Sequence, residues 1–198
     1  MTLLELLLAL AVTILTGAAA AAVTLAVSRG MISMNAGRSV INRANLIQAR
    51  LRAVTDTARC ALDAAADKGL AVWAEDPNAD GRVNVLELRV VWFNADEQTL
   101  TLERVQFPKE WTQEWVDSHN LTLAAADDPF LAMQAQRALG YTTTSVLGSR
   151  VGVTAVESPE KVWKDAQRLR VNADVTDDLG SSVGLLVCLG FPSHRPPQ

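Results

Sequence analysis

One stretch constrains this chain more than any other. From Leu6 to Ser28 there is no charged residue and no proline. As a helix, those 23 residues would be about 35 Å long at 1.5 Å per residue. A hydrocarbon layer of about 30 Å needs roughly 20 such residues. The run is therefore long enough to cross a bilayer. A cleavable export signal fits less well, because nothing basic precedes the apolar run and the run exceeds the 7–15 residues of such signals. The puzzle is Glu5, the sole charge before Arg29. A charged group held at membrane depth costs about 2.5–3.5 kcal/mol on insertion scales.

Charge is unevenly placed. Between Arg29 and Cys60 stand six arginines and one acid, Asp56. The first sixty residues carry +4 and the whole chain −4, so residues 61–198 carry −8. A basic stalk meets an acidic head, and stalk and head, or neighbouring subunits, are expected to attract. Nucleic acid is not an expected partner, because no aromatic residue lies among the arginines to stack on bases.

Ile32, Ala36, Val40, Ala44, Ile47, Leu51, Val54, Ala58 and Leu62 recur at three- and four-residue spacing, which marks one apolar stripe. The pattern predicts a single helix from about residue 2 to about 65, apolar all round at first and amphipathic afterwards. Beyond Gly69 the period becomes two. Residues 70–74 read as a strand, 83–94 and 99–107 as a hairpin, and 145–158 as an irregular strand. Residues 162–177 and 181–191 read as a second hairpin. Asp127 and Asp128 before Pro129 mark a helix start. The predicted fold is α+β, one long N-terminal helix packed on an antiparallel sheet with a small helical insertion. Its expected divisions are a transmembrane segment at 1–28, an amphipathic half-helix at 29–66, a head at 67–191 and a disordered tail at 192–198.

Thr2, Leu3, Leu4 and Glu5, followed by a wholly apolar helix that becomes amphipathic, resemble the mature N-terminus of type IV pilins and type II secretion pseudopilins. The motif occupies the first 25 residues or so; the layout of the remainder is similar as well. The order of elements also resembles, more loosely, the J-type minor pseudopilins and W-type minor pilins. The resemblance implies a non-catalytic structural subunit in which Glu5 pairs with the Met1 amine of a neighbouring subunit. It further implies a leader removed by a prepilin peptidase, N-terminal methylation, and partners among other pilins, an assembly platform and a motor. Such a subunit crosses the inner membrane once, among membrane lipid, and becomes extracytoplasmic on assembly. The pairing has a physical basis: one helical turn separates Met1 from Glu5, and opposite charges attract most where water is excluded. The alternative is a plain single-span protein with a calcium-binding head.

Two further expectations concern chemistry. Residues 76–87, DPNADGRVNVLE, fit D-x-N-x-D-G-x5-E. Asp76, Asn78, Asp80, Asn84 and Glu87 would offer side-chain oxygens to Ca²⁺ and Arg82 its carbonyl. An Asx-rich turn closing a hairpin explains the same residues without an ion. Cys60 and Cys188, an even pair in an exported domain, suggest a disulfide, against the alternative of two buried thiols. No phosphate-cradling G-x-x-x-x-G-K-[ST], no G-x-S-x-G and no HExxH occurs. His119 and His194 lie in polar surroundings. The tryptophans read as core and interface residues, with Trp111 and Trp115 on one helical face as a candidate contact patch.

Overall fold

A computed structural model describes residues 3–77, 79–124, 126–177 and 180–197. Helix α1 runs Leu3–Asp56. The chain divides into two compact units, Met1–Ser39 and Val40–Gln198. In the first, Leu3–Met31 is long and apolar enough to cross a membrane. Leu4, Leu8, Ile14, Leu15 and Val23 are all exposed within it.

The second unit opens with the amphipathic part of α1. Val40, Ala44, Ile47, Leu51 and Val54 are buried, as the stripe predicts. α1 ends at Asp56, about nine residues before the predicted end. Residues 60–65, expected to be helical, form β1 (Cys60–Ala65), antiparallel to β2 (Gly69–Trp73). Alanines favour a helix locally, but burial of Cys60, Ala61 and Ala64 against the sheet overrides that weak preference.

The remaining strands follow in order. They are β3 (Val83–Asn84), β4 (Leu88–Asn94), β5 (Thr99–Val105), β6 (Thr122–Leu123), β7 (Thr142–Ser149), β8 (Val151–Glu157), β9 (Arg168–Thr176) and β10 (Ser182–Gly190). Helix α2 covers Gln113–His119 and α3 Pro129–Ala138. A five-stranded sheet has the order β1-β2-β4-β5-β7 and a three-stranded sheet the order β10-β9-β8, with β3 and β6 paired separately. Adjacent strands in all three are antiparallel. Both predicted hairpins form, as β4–β5 and β9–β10.

The α1 stripe packs on apolar side chains from both larger sheets, among them Leu70, Val91, Leu147, Val171 and Leu189. A Cβ on Gly148 would stand 2.6 Å from Ile47 Cγ1, so β7 approaches the helix only because residue 148 lacks one. The other face of the five-stranded sheet carries α3, where Ala71, Val90, Val105, Phe130 and Met133 form a second core. Strand β2, covered on both faces, is buried along its whole length.

Residues 145–158 are two strands rather than one. Arg150, at φ 59°, takes the chain from β7 in one sheet to β8 in the other. The tail, expected to be disordered, makes hydrogen bonds to the rest of the chain. Arg195 N–H donates to Arg59 O at 3.2 Å, and His194 Nε2 donates to Lys164 O at 2.9 Å.

Candidate functional site

The residues that the sequence singles out occupy four places. The first is the apolar segment. Glu5 sits in the first turn of α1, exposed among exposed leucines; Met1 lies outside the described residues. An apolar helix open on every side, with one acid near its end, leaves a large area to be covered by lipid or by other helices.

The second is the loop before β3. Asp76 closes the turn: its Oδ1 accepts from Asp80 N–H at 3.1 Å and its Oδ2 from Gly81 N–H at 3.3 Å. The same carboxylate faces Arg59 Nη1 at 3.3 Å. Asp80 Oδ1 accepts from Arg82 N–H at 2.8 Å. Gly81 supplies the left-handed turn at φ 71°, where a side chain would be strained. Asn78 lies outside the described residues.

Glu87 is bonded to Trp73 and Asn84 instead. It is only 4 % exposed. Its Oε2 accepts from Trp73 Nε1–H at 2.9 Å and from Asn84 N–H at 3.1 Å. Asn84 is pinned in turn by Thr122, whose hydroxyl donates to Asn84 Oδ1 at 2.9 Å. A 3-10 turn at Val85–Glu87 interrupts the predicted strand and turns the carboxylate inward. Asp76 and Asp80 therefore share a turn, while Asn84 and Glu87 belong to the interior. Among the described residues, no three carboxylate, histidine or cysteine side chains gather as a metal site would need. Replacing Glu87 with alanine strands the Trp73 and Asn84 donors. It is expected to lower stability by about 1–3 kcal/mol, equally in calcium and in chelator, as read by urea unfolding.

The third place concerns the cysteines, where the structure corrects the predicted disulfide: both are free. Cys60 is buried beside Trp73 and Val83. Cys188 lies on β10, where Val187 and Leu189 face the core and strand alternation turns Cys188 outward. Burial pushes the Cys60 thiol up to about 12, against the opposing charges of Lys164 and Arg59. Thiolate is the reactive form. With a thiol-reactive dye at pH 8, one cysteine per chain is expected to react promptly and the second only after unfolding. Changing Cys188 to serine should remove the prompt phase.

The fourth place is an aromatic ledge around α2. The Trp111 and His119 rings lie 4.7 Å apart, and Trp115 stacks on His119 at 5.3 Å. Phe107 and Tyr141 back Trp111 at 5.3 and 5.1 Å. Trp111 precedes α2 rather than sharing a helical face with Trp115; their rings lie 6.0 Å apart, and Trp115 is 58 % exposed.

Sequence reasoning missed Glu103. It is wholly buried between β5 and α3. Arg137 Nε donates to its Oε1 at 2.8 Å, while Arg137 Nη2 and Trp92 Nε1 donate to Oε2. The Arg137 guanidinium lies 4.9 Å from the Trp92 ring centroid. Burial pushes the Glu103 carboxyl up. Hydrogen bonds from Arg137, Thr142 and Trp92, with the Arg137 charge, outweigh it and leave the group below its ordinary range. The available signal was its place in β5: Thr101, Glu103 and Val105 share the face that meets α3.

Compared with protein-family models, with curated proteins and with solved structures, the chain matches none.

Proposed function

We propose that this chain is a structural subunit of a type IV pilus or a type II secretion pseudopilus, of the minor or tip class, with no catalytic role. The observation that carries the reading is the division of labour along α1. Leu3–Met31 exposes apolar side chains all round with Glu5 at its start, and the same helix continues as the Val40–Val54 stripe buried under antiparallel sheets. Lipid covers the first part before assembly and the apolar helices of neighbours cover it afterwards. Glu5 then meets a neighbour's N-terminal amine where water is scarce, which offsets the cost of both charges and fixes the stagger between subunits. The subunit crosses the inner membrane once before assembly. It is worked on by a prepilin peptidase, a platform and a motor, and lies outside the cytoplasm afterwards.

Mass spectrometry of the N-terminal peptide, from protein isolated from its own cells, tests the reading. A methylated N-terminal amine at Met1 is expected. A formylated or unmodified Met1, together with a Glu5→Ala variant that assembles as the native chain does, would reduce the segment to a simple anchor.

A further inference from the structure

We propose that the outer edge of β10 receives an added strand, an extended and uncharged segment, apolar at alternate positions, supplied by a different protein. That the donor is a different protein and not a second copy rests on the minor-subunit reading above; the edge itself does not.

The two larger sheets end on four strands, β1 and β7 in one, β8 and β10 in the other. An edge strand presents a row of unpaired N–H and C=O groups, and folded chains blunt such edges with bulges, charge, proline or a cover. Three of these four strands are blunted. β1 bulges between Ala61 and Asp63, and Asp63 Oδ1 accepts from Ala64 N–H at 2.8 Å. β7 carries an extra residue, Leu147, between the partners of Leu100 and Thr101, and Arg50 Nη1 donates to Leu147 O at 2.9 Å. β8 shifts register between Val153 and Ala155 and ends on Glu157.

β10 has none of these devices. Its whole length, Ser182–Gly190, pairs with β9 in one unbroken register. No charge and no proline occurs from Ser181 to Phe191. Among the described residues, no backbone hydrogen bond joins β10 to anything but β9. Two apolar residues beside the edge are incompletely covered. Val183 and Leu185 pack on the main core but stay half-buried, whereas Val187 and Leu189 on the same face are fully buried. On the opposite face Leu186 is 57 % exposed. That face is also open: a Cβ at Gly184 would come no nearer than 3.9 Å to Asp174 Oδ1, and one at Gly190 would meet nothing within 4 Å.

The edge selects its occupant. Only another backbone offers donors and acceptors at strand spacing; a helix face, a lipid or a sugar leaves most of the row unpaired. A charged segment would lose water and find no counter-charge along β10. Val183 and Leu185 favour aliphatic or β-branched side chains at every second position of the incoming strand, the spacing that puts them on one face. Such a strand extends the three-stranded sheet and completes the cover over both residues. A minor subunit has no second β10 beside it, so the strand comes from another protein.

The test uses the purified full chain in detergent micelles. The probe is a synthetic peptide of alternating threonine and valine, as long as β10, with a lysine at each end for solubility. Hydrogen exchange of the β10 amides, read by mass spectrometry, reports pairing. With the peptide at about ten times its dissociation constant, the unpaired amides of β10 are expected to exchange about tenfold more slowly. The same peptide with N-methylated backbone amides keeps its side chains, loses its donors and should give no protection. Val183→Lys sets an inward charge beside the edge and is expected to weaken binding at least about tenfold; circular dichroism checks that this variant folds. Absence of protection overturns the proposal, and so does equal protection by the N-methylated peptide, which needs no variant of the protein. Undiminished binding to folded Val183→Lys overturns it as well. Light scattering that finds a dimer, with β10 protected in the absence of peptide, puts a second copy on the edge and overturns the assignment to a different protein. None of these failures alters the methylation of Met1, by which the filament reading is tested.

Discussion

Replacing Glu103 with alanine is expected to cost about 2–3 kcal/mol of folding stability, towards the upper end for a buried donor left without its acceptor, because Arg137 is half exposed and its guanidinium can turn to water. Glu103 is completely buried and accepts from both Arg137 and Trp92. Its removal leaves the Trp92 indole N–H without its acceptor and the guanidinium without its counter-charge. Urea unfolding of the full chain in detergent, followed by tryptophan fluorescence, measures the loss. An apolar replacement of both members, Glu103→Leu with Arg137→Leu, should recover part of it, because no unpaired charge then remains. The native pair also sets an acid limit. The folded carboxyl titrates below its ordinary value of 4.5. Its contribution is therefore complete above about pH 4.5 and is lost as pH falls through the folded value. Between pH 4.5 and 2 the native chain should lose stability more steeply than Glu103→Ala. Parallel slopes would show that the carboxylate does not matter to folding in this way.

The second large effect concerns where the folded head begins. A chain of residues 40–198 is expected to fold and to unfold cooperatively, whereas a chain starting at residue 56 is expected not to fold. Among the described side chains, the core starts at Val40. Removing residues 1–39 takes away exposed apolar surface and leaves that core intact. Removing residues 40–55 as well deletes Val40, Ala44, Ile47, Leu51 and Val54. Burial of each larger aliphatic side chain among them contributes about 1.5–3 kcal/mol, and a domain has only about 5–15 kcal/mol in total. The loss also bares the apolar inner faces of two sheets. Circular dichroism and a thermal melt of the two truncated chains decide the matter. A cooperative melt for residues 56–198 would show that the sheets hold together without the helix.

These two effects differ in how far the sequence reveals them. The α1 stripe is visible because helical periodicity is local: residues three and four apart share a face wherever the helix lies. The membrane-length segment, the position of Glu5, the Asp128–Pro129 helix start and both hairpins are likewise carried by short runs of residues. Glu103 is not visible in the same way. An acid inside an alternating strand reads as a solvent-facing residue until α3, more than 25 residues later, brings Arg137 over it.

By itself, then, the sequence determined an α+β chain with a bilayer-length apolar helix and an antiparallel head. It also set the division between a basic stalk and an acidic head. Tertiary structure decided the rest. It ended α1 at Asp56, because β1 gains more by pairing with β2 than alanines gain from another helical turn. It carried the chain between sheets at Arg150. It turned Glu87 inward to Trp73 and placed Cys60 inside and Cys188 outside. Each of these outcomes depends on a partner distant in sequence, and local preferences of a few tenths of a kcal/mol per residue yield to the burial that such partners provide.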